Sequence, residues 1–145
     1  MTKCYLDSNI LVYLKNADSP FHKATLSLVI NLTETGVDVF LSPLAIDEFL
    51  HNFAREVQAK RITNIFEVLD KALEEILDLP KLEIVNPPIE RTAQKKVVKY
   101  MEKYQLHARD AYHLLICLEN NIDGFATFDK DFGKVFKAKV LEKAL

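Results

Sequence analysis

Five short, largely apolar runs recur along this chain, each separated from the next by a stretch with helical periodicity. The runs are Cys4-Tyr5-Leu6, Val37 to Leu41, Leu82 to Val85, Gly124 to Thr127 and Ala138 to Leu141. Strands separated by helical crossovers give a parallel sheet, because a right-twisted strand feeding a helix returns to the sheet in one hand only. The expectation is a single three-layer α/β/α domain over residues 1–145.

The intervening stretches fit that frame. Ile10, Leu11 and Leu14 follow a capping Ser8 or Asn9. Ala24, Leu28 and Val29 recur at helical spacing, and Gly36 ends that helix. Ser42-Pro43 starts another helix with proline in its first turn, carrying Leu44, Phe49, Leu50 and Phe53 towards Val57. A further helix over residues 62–79 presents Ile65, Leu69, Leu73 and Ile76 on one side, so the two form a helical hairpin added to the sheet. Pro87-Pro88 leads into a helix through Ala93, Val97 and Met101. Asp110 opens the next one, with Leu114, Leu115 and Leu118, and a short helical turn covers 129–135.

Bulk properties exclude several function classes. A chain of 145 residues buries about 70% of its unfolded surface, enough for a core without staples. The net charge of −2 argues against a large non-specific nucleic-acid binder, although Lys and Arg cluster at 55–61, 91–103 and 130–143. A solvated helix face accounts best for the middle cluster. Cys4 and Cys117 form no CxxC pair and lie in apolar surroundings, where free Cys packs as a small hydrophobe. There is no secretory signal and no apolar run of the roughly 20 residues a bilayer requires, so the expected compartment is the cytoplasm, without membrane attachment.

The chemistry lies in the acids at the edges of the apolar runs. Asp7 directly follows the first strand, where open α/β sheets bind ligands, and is equally well placed to cap the next helix. Glu48 and Asp47 both sit early in the helix after the second strand, and spacing alone does not decide which faces inward. Asp110 precedes a strongly apolar helix segment, where a carboxylate is costly unless paired or metal-bound. Asp129 follows the fourth strand, with Asp131 as its alternative and a turn as the plainer role. Two carboxylates ~4 Å apart repel by about 4 kcal/mol at an effective dielectric near 20, so three or four together call for a cation. Oxygen-only ligands suit Mg2+ or Mn2+, and the chemistry then available is metal-activated water attacking a phosphodiester. His51 and His113 lie three residues beyond Glu48 and Asp110, placed to touch a phosphate or tune a carboxylate. Packing is the commoner role for a helical histidine.

Four blocks taken together resemble a PIN-domain ribonuclease. They are Tyr5-Leu6-Asp7-Ser8-Asn9-Ile10-Leu11; Ser42 followed by Glu48-Phe49-Leu50; Ala108-Arg109-Asp110-Ala111-Tyr112-His113-Leu114; and Thr127-Phe128-Asp129-Lys130-Asp131-Phe132. The resemblance implies a five-stranded parallel sheet of order 3-2-1-4-5 and Mg2+- or Mn2+-dependent cleavage of RNA. It also implies a frequent homodimer and, in the VapC-type toxins of the family, a small antitoxin that blocks the site. By the same resemblance the family's acids fall on Asp7, Glu48, Asp110 and Asp129, which selects Glu48 over Asp47. Asn9 and Thr127 match polar positions near them. Two rivals remain: a haloacid-dehalogenase-like phosphatase, which wants an acid where Asn9 stands, and a non-catalytic interaction module using the helical hairpin.

Overall fold

A computed structural model describes all residues 1–145. Strands β1 (Lys3–Leu6), β2 (Asp38–Leu41), β3 (Leu82–Ile84), β4 (Gly124–Ala126) and β5 (Glu142–Lys143) form one sheet in the order β3-β2-β1-β4-β5. Every neighbouring pair is parallel, with Tyr5 opposite Phe40 on one side and Phe125 on the other. The connections are helices: α1 (Ser8–Lys15), α2 (His22–Glu34), α3 (Pro43–Ala59), α4 (Ile65–Leu77), α5 (Arg91–Tyr104), α6 (Ala108–Glu119) and α7 (Gly133–Lys137).

The central strands are buried because their side chains are apolar in succession, as expected where helices cover a parallel sheet. Cys4, Tyr5, Leu6, Leu41, Phe125 and Ala126 are all 0% exposed. The edge strands are short and carry exposed residues, which limits edge-to-edge pairing with other chains. Helix α3 is seated by the Ser42 side chain, which accepts a hydrogen bond from the Ala45 N–H at 3.3 Å, with Pro43 in the first turn. Its buried face, Ala45, Phe49, Phe53 and Val57, repeats every four residues. Helix α1 packs on α2 and α3, α3 on α4, and α5 on α6, so residues 62–79 do pair with α3 as a hairpin.

One element departs from expectation. The last strand forms at Glu142–Lys143 rather than at Ala138 to Leu141. The apolar residues there close α7 instead. Lys139 takes the left-handed conformation at φ 54°, its N–H bonds the Phe136 carbonyl, and the Val140 N–H bonds the Val135 carbonyl. This helix-ending motif uses Val140 and Leu141 for packing, and pairing with β4 passes to the two polar residues that follow.

The parallel register brings the carboxyl ends of β1, β2 and β4 to one rim, each followed immediately by a polar residue: Asp7, Ser42 and Thr127. All three are buried. Beneath them, the Phe125 ring packs against Tyr5 and Phe132 at centroid distances of 5.6 and 4.3 Å. Truncating a fully buried aromatic residue costs roughly 3–5 kcal/mol. Phe125→Ala should therefore lower the urea-unfolding free energy by about that amount, measured without added metal.

Candidate metal centre

Asp7 leaves β1 at its carboxyl end, on the rim, and its side chain caps α1. Its Oδ1 accepts from the Ser8 N–H at 2.7 Å. Its Oδ2 accepts from Asn9 Nδ2 at 2.8 Å and from the Thr127 hydroxyl at 2.5 Å. Asn9 Nδ2 also reaches Thr127 Oγ1, and that oxygen accepts from the Asp129 N–H. Asn9 and Thr127 thus clamp the ends of β1 and β4 around a single carboxylate.

Glu48 enters from the second turn of α3 and is buried, whereas Asp47 is exposed. The four-residue repeat of α3 sets this difference, since Glu48 adjoins the inward face and Asp47 points away. Glu48 Oε2 accepts from the Ser8 hydroxyl at 2.9 Å and faces His113 Nε2 at 3.3 Å. Oε1 differs. Arg109 Nε lies 2.9 Å away as an ion pair, yet the buried oxygen accepts no hydrogen bond. With an ion pair but no hydrogen bond, this buried oxygen keeps acceptor capacity that a ligand could use.

The acids fall into two groups. Ligand atoms of Asp7, Glu48 and His113 lie within 4.8 Å of one another, as do those of Asp110, Asp129 and Asp131. Asp110 is the third residue of α6, whose cap is His107, so Asp110 is released from capping. Asp129 Oδ1 accepts from the Asp131 N–H at 2.8 Å and starts the short 3-10 turn, combining the turn role with a place in the cluster. Asp131 belongs to this outer group and is exposed.

Electrostatics link the groups. Burial, then the charges of Asp129 and Asp7, push the Asp110 carboxyl up to about 6 from an ordinary 3.8. Burial also raises Asp7, against the pull of the His113 ring and the hydrogen bonds from Thr127 and Ser8. Glu48 is shifted the other way. Burial alone would raise it, but the His113 and Ser8 hydrogen bonds and the Arg109 charge outweigh that and lower it. The chain thus concentrates negative charge that only protons or a cation relieve, and the available donors are carboxylate oxygens, which fit a hard divalent ion. His113 is a poor ligand, because Tyr5 engages its Nδ1 at 2.9 Å and Glu48 faces its Nε2.

Other candidates lie elsewhere. His22 Nδ1 contacts the Tyr13 carbonyl, and His51 and His107 are exposed. Lys96 pairs with Glu119, in keeping with a solvated basic face on α5. Two open depressions adjoin the site. One, of about 410 Å3, runs from Asn9 past Tyr13 and Asn52 to Arg55, and the other, of about 570 Å3, is lined by Leu44, Pro87, Arg109 and Tyr112. Sequence reasoning missed the supporting groups Ser8, Tyr5 and Arg109. Tyr5 gives no signal, since a tyrosine inside an apolar strand reads as core. His113 does give one, lying one helical turn beyond Asp110.

A family model described as the PIN domain matches residues 4–137. Ribonuclease VapC13 of Mycobacterium tuberculosis is 26% identical over 128 residues, covering 88% of this chain and 90% of that protein. Among solved structures, VapC20 of Mycobacterium tuberculosis, titled a Sarcin-Ricin loop cleaving toxin, superposes with a TM-score of 0.66 at 13% identity, covering 91% of this chain and 94% of that one. VapBC2 of Rickettsia felis, bound to a DNA fragment from their promoter, gives a TM-score of 0.66 at 18% identity over 97% of this chain and 98% of that one. At these identities the structural matches establish the fold.

Asp110 gives a pH signature in the metal-free protein. Its folded pKa is raised, so its contribution to stability is full below about pH 3.8 and is lost as pH rises through about 6. Asp18, Glu75 and Asp123 are lowered, so what they contribute is lost only as pH falls below the ordinary carboxylate range, outside this window. Thermal unfolding in chelator should show wild type losing stability from pH 5 to 7 relative to Asp110→Asn. Added Mg2+ should recover more of the melting temperature at pH 7 than at pH 5.

Proposed function

This chain belongs to the PIN-domain family, and on that footing we propose that it is a divalent-metal-dependent endoribonuclease hydrolysing RNA phosphodiester bonds, the toxin of a toxin–antitoxin pair. The observation that carries the reading is the crowding of carboxylates at one rim, with Glu48 buried beside Asp7, its Oε1 ion-paired to Arg109 but without a hydrogen bond, and with Asp110, Asp129 and Asp131 grouped outside them. The proposed metal-holding and catalytic residues are Asp7, Glu48, Asp110 and Asp129, with Asp131 as an auxiliary acid. Mg2+ or Mn2+ is the proposed ion, because both favour oxygen ligands. When bound, such an ion supplies an acidified water as nucleophile and positive charge for the leaving oxygen.

The chain's own groups divide the remaining work. Ser8, Asn9 and Thr127 hold both oxygens of Asp7, so its orientation is set before any ligand arrives. Arg109, 65% exposed and paired with Glu48, is the cation at the site able to reach a substrate phosphate. Asp131 is exposed and Asp110 half-buried, so water and phosphate would reach the outer group from the Asp131 side. The two depressions that adjoin the site at Asn9 and at Arg109 give an RNA strand a path on either side.

The phosphatase alternative loses ground on Asn9. That class needs an acid there, and the Asn9 amide is committed to Asp7 and Thr127. Relatives support the partner half of the proposal, being a named ribonuclease, a named toxin and a VapBC2 assembly on promoter DNA. On the VapBC2 likeness we propose a small antitoxin partner, and the homodimer and cytoplasmic setting are proposed from the family resemblance and the sequence alone. The helical hairpin leaves Phe66 82% exposed, which suits an interface. No helix is long and apolar enough to cross a membrane.

Purified protein should cleave single-stranded RNA with Mg2+ or Mn2+ and stop on chelation. Loss of a metal ligand costs at least the 10- to 100-fold seen for its supporting groups. Asp7→Asn and Asp110→Asn should each reduce cleavage by on the order of 100-fold or more, with Asp131→Asn milder. Undiminished metal-dependent cleavage in both variants would overturn the site.

A further inference from the structure

Behind the carboxylates, a line of buried polar groups runs from β2 through β1 to α6 and ends on Glu48. Ser42 and Tyr5 are 0% exposed and His113 is 1% exposed. Ser42 Oγ lies 2.5 Å from the Tyr5 hydroxyl, which lies 2.9 Å from His113 Nδ1; His113 Nε2 lies 3.3 Å from Glu48 Oε2. All three are buried and none lines either depression.

Donor and acceptor capacities give the line a direction. An ionised carboxylate only accepts, so His113 must present Nε2–H to Glu48. Where the imidazole is neutral, Nδ1 is then an acceptor and takes the Tyr5 hydroxyl hydrogen. The Tyr5 oxygen is left to accept, and Ser42 is its donor. Ser42 Oγ keeps a lone pair for the Ala45 N–H at 3.3 Å. With this orientation every hydroxyl hydrogen of the line has an acceptor. The reverse orientation would have Nδ1 donate to Tyr5 and Tyr5 donate to Ser42, leaving the buried Ser42 hydrogen with none.

We propose that Ser42, Tyr5 and His113 form a one-directional hydrogen-bond chain that, with Ser8, holds Glu48 by Oε2 and leaves Oε1, whose one charged neighbour is the exposed Arg109, as the oxygen available to a divalent cation. They are positioning residues, acting on the metal through Glu48. Ser8 and His113 supply the two donors to Oε2, at 2.9 and 3.3 Å, while Oε1 is held at the site with only the exposed Arg109 beside it. The stacking of the Tyr5 ring on Phe125 at 5.6 Å and 14° fixes where the hydroxyl points, so the geometry comes from the sheet itself. The part of this inference that concerns metal rests on the assignment of Glu48 as a ligand, whereas the direction of the chain does not.

The test uses the full chain labelled with 15N-histidine, His113 being assigned by its loss in His113→Gln. In metal-free wild type, His113 should show the Nε2–H tautomer with unprotonated Nδ1. Tyr5→Phe keeps the stacked ring and removes only the hydroxyl. It should shift the His113 Nδ1 signal and weaken Mn2+ binding, read by calorimetry on folded protein, by on the order of 10- to 100-fold. His113→Gln, whose amide offers one acceptor and a donor, should retain more Mn2+ affinity than His113→Leu at matched thermal stability. An Nδ1–H tautomer in wild type would overturn the chain's direction. Unchanged Mn2+ affinity in Tyr5→Phe, or equal affinity in the Gln and Leu variants, would overturn its effect on Glu48. If wild type bound no Mn2+, the ligand assignment of Glu48 and the cation-facing part of the proposal would fall, while the tautomer would still decide the chain.

Discussion

A buried carboxylate at the end of β1 is the constraint around which the rest of the structure is arranged. Asp7 is 7% exposed, and a charge at that depth persists only if donors surround it. Those donors come from two places: the first turn of α1, through the Ser8 N–H and the Asn9 amide, and Thr127 at the end of β4, which only the folded sheet brings near. The pairing of Leu6 with Ala126 sets the spacing between Asp7 and Thr127, so a one-residue slip of β4 would remove the hydroxyl and leave the carboxylate short of a donor. Folding and site assembly are therefore the same event on this rim.

The outer acids follow a different logic. Asp7 and Glu48 are held by hydrogen bonds, whereas Asp110 meets the charges of Asp129, Asp7 and Asp131 without an equivalent set of donors. The inner pair contributes geometry and the outer group contributes unrelieved charge. Such crowding costs stability, and protonation or a bound cation would relieve it. Local rules of folding are broken here in one place and obeyed elsewhere, which is the pattern expected of a functional centre.

Much of this was legible in the chain. The alternation of short apolar runs with helical patterns led to the parallel sheet, and the resemblance of four short blocks led to its strand order. The last strand was misplaced because the apolar residues Ala138, Val140 and Leu141 serve a helix end, a tertiary use that a β-rich pattern does not distinguish from pairing. Asp7 could not be divided between cap and ligand by sequence, and the structure shows why, since its side chain caps α1 while standing in the acidic cluster. Asp47 and Glu48 were inseparable by local pattern because both are flanked by apolar residues, and only the packing of Ala45 and Phe49 against the sheet orients that turn. Tyr5 stayed invisible because its ring is core and only its hydroxyl oxygen takes part in the polar line.

The interior polar groups need not weaken the fold. Ser42, Tyr5, His113, Ser8, Asn9 and Thr127 all find partners, and a fully satisfied network rigidifies a core where a partly satisfied one would cost it. One buried side-chain oxygen, Oε1 of Glu48, has no hydrogen bond. Its one charged neighbour is the exposed Arg109. That oxygen lies where the supporting groups of β1, β2, α1 and α6 converge, and that convergence, more than the number of acids, is what the proposed metal reading rests on.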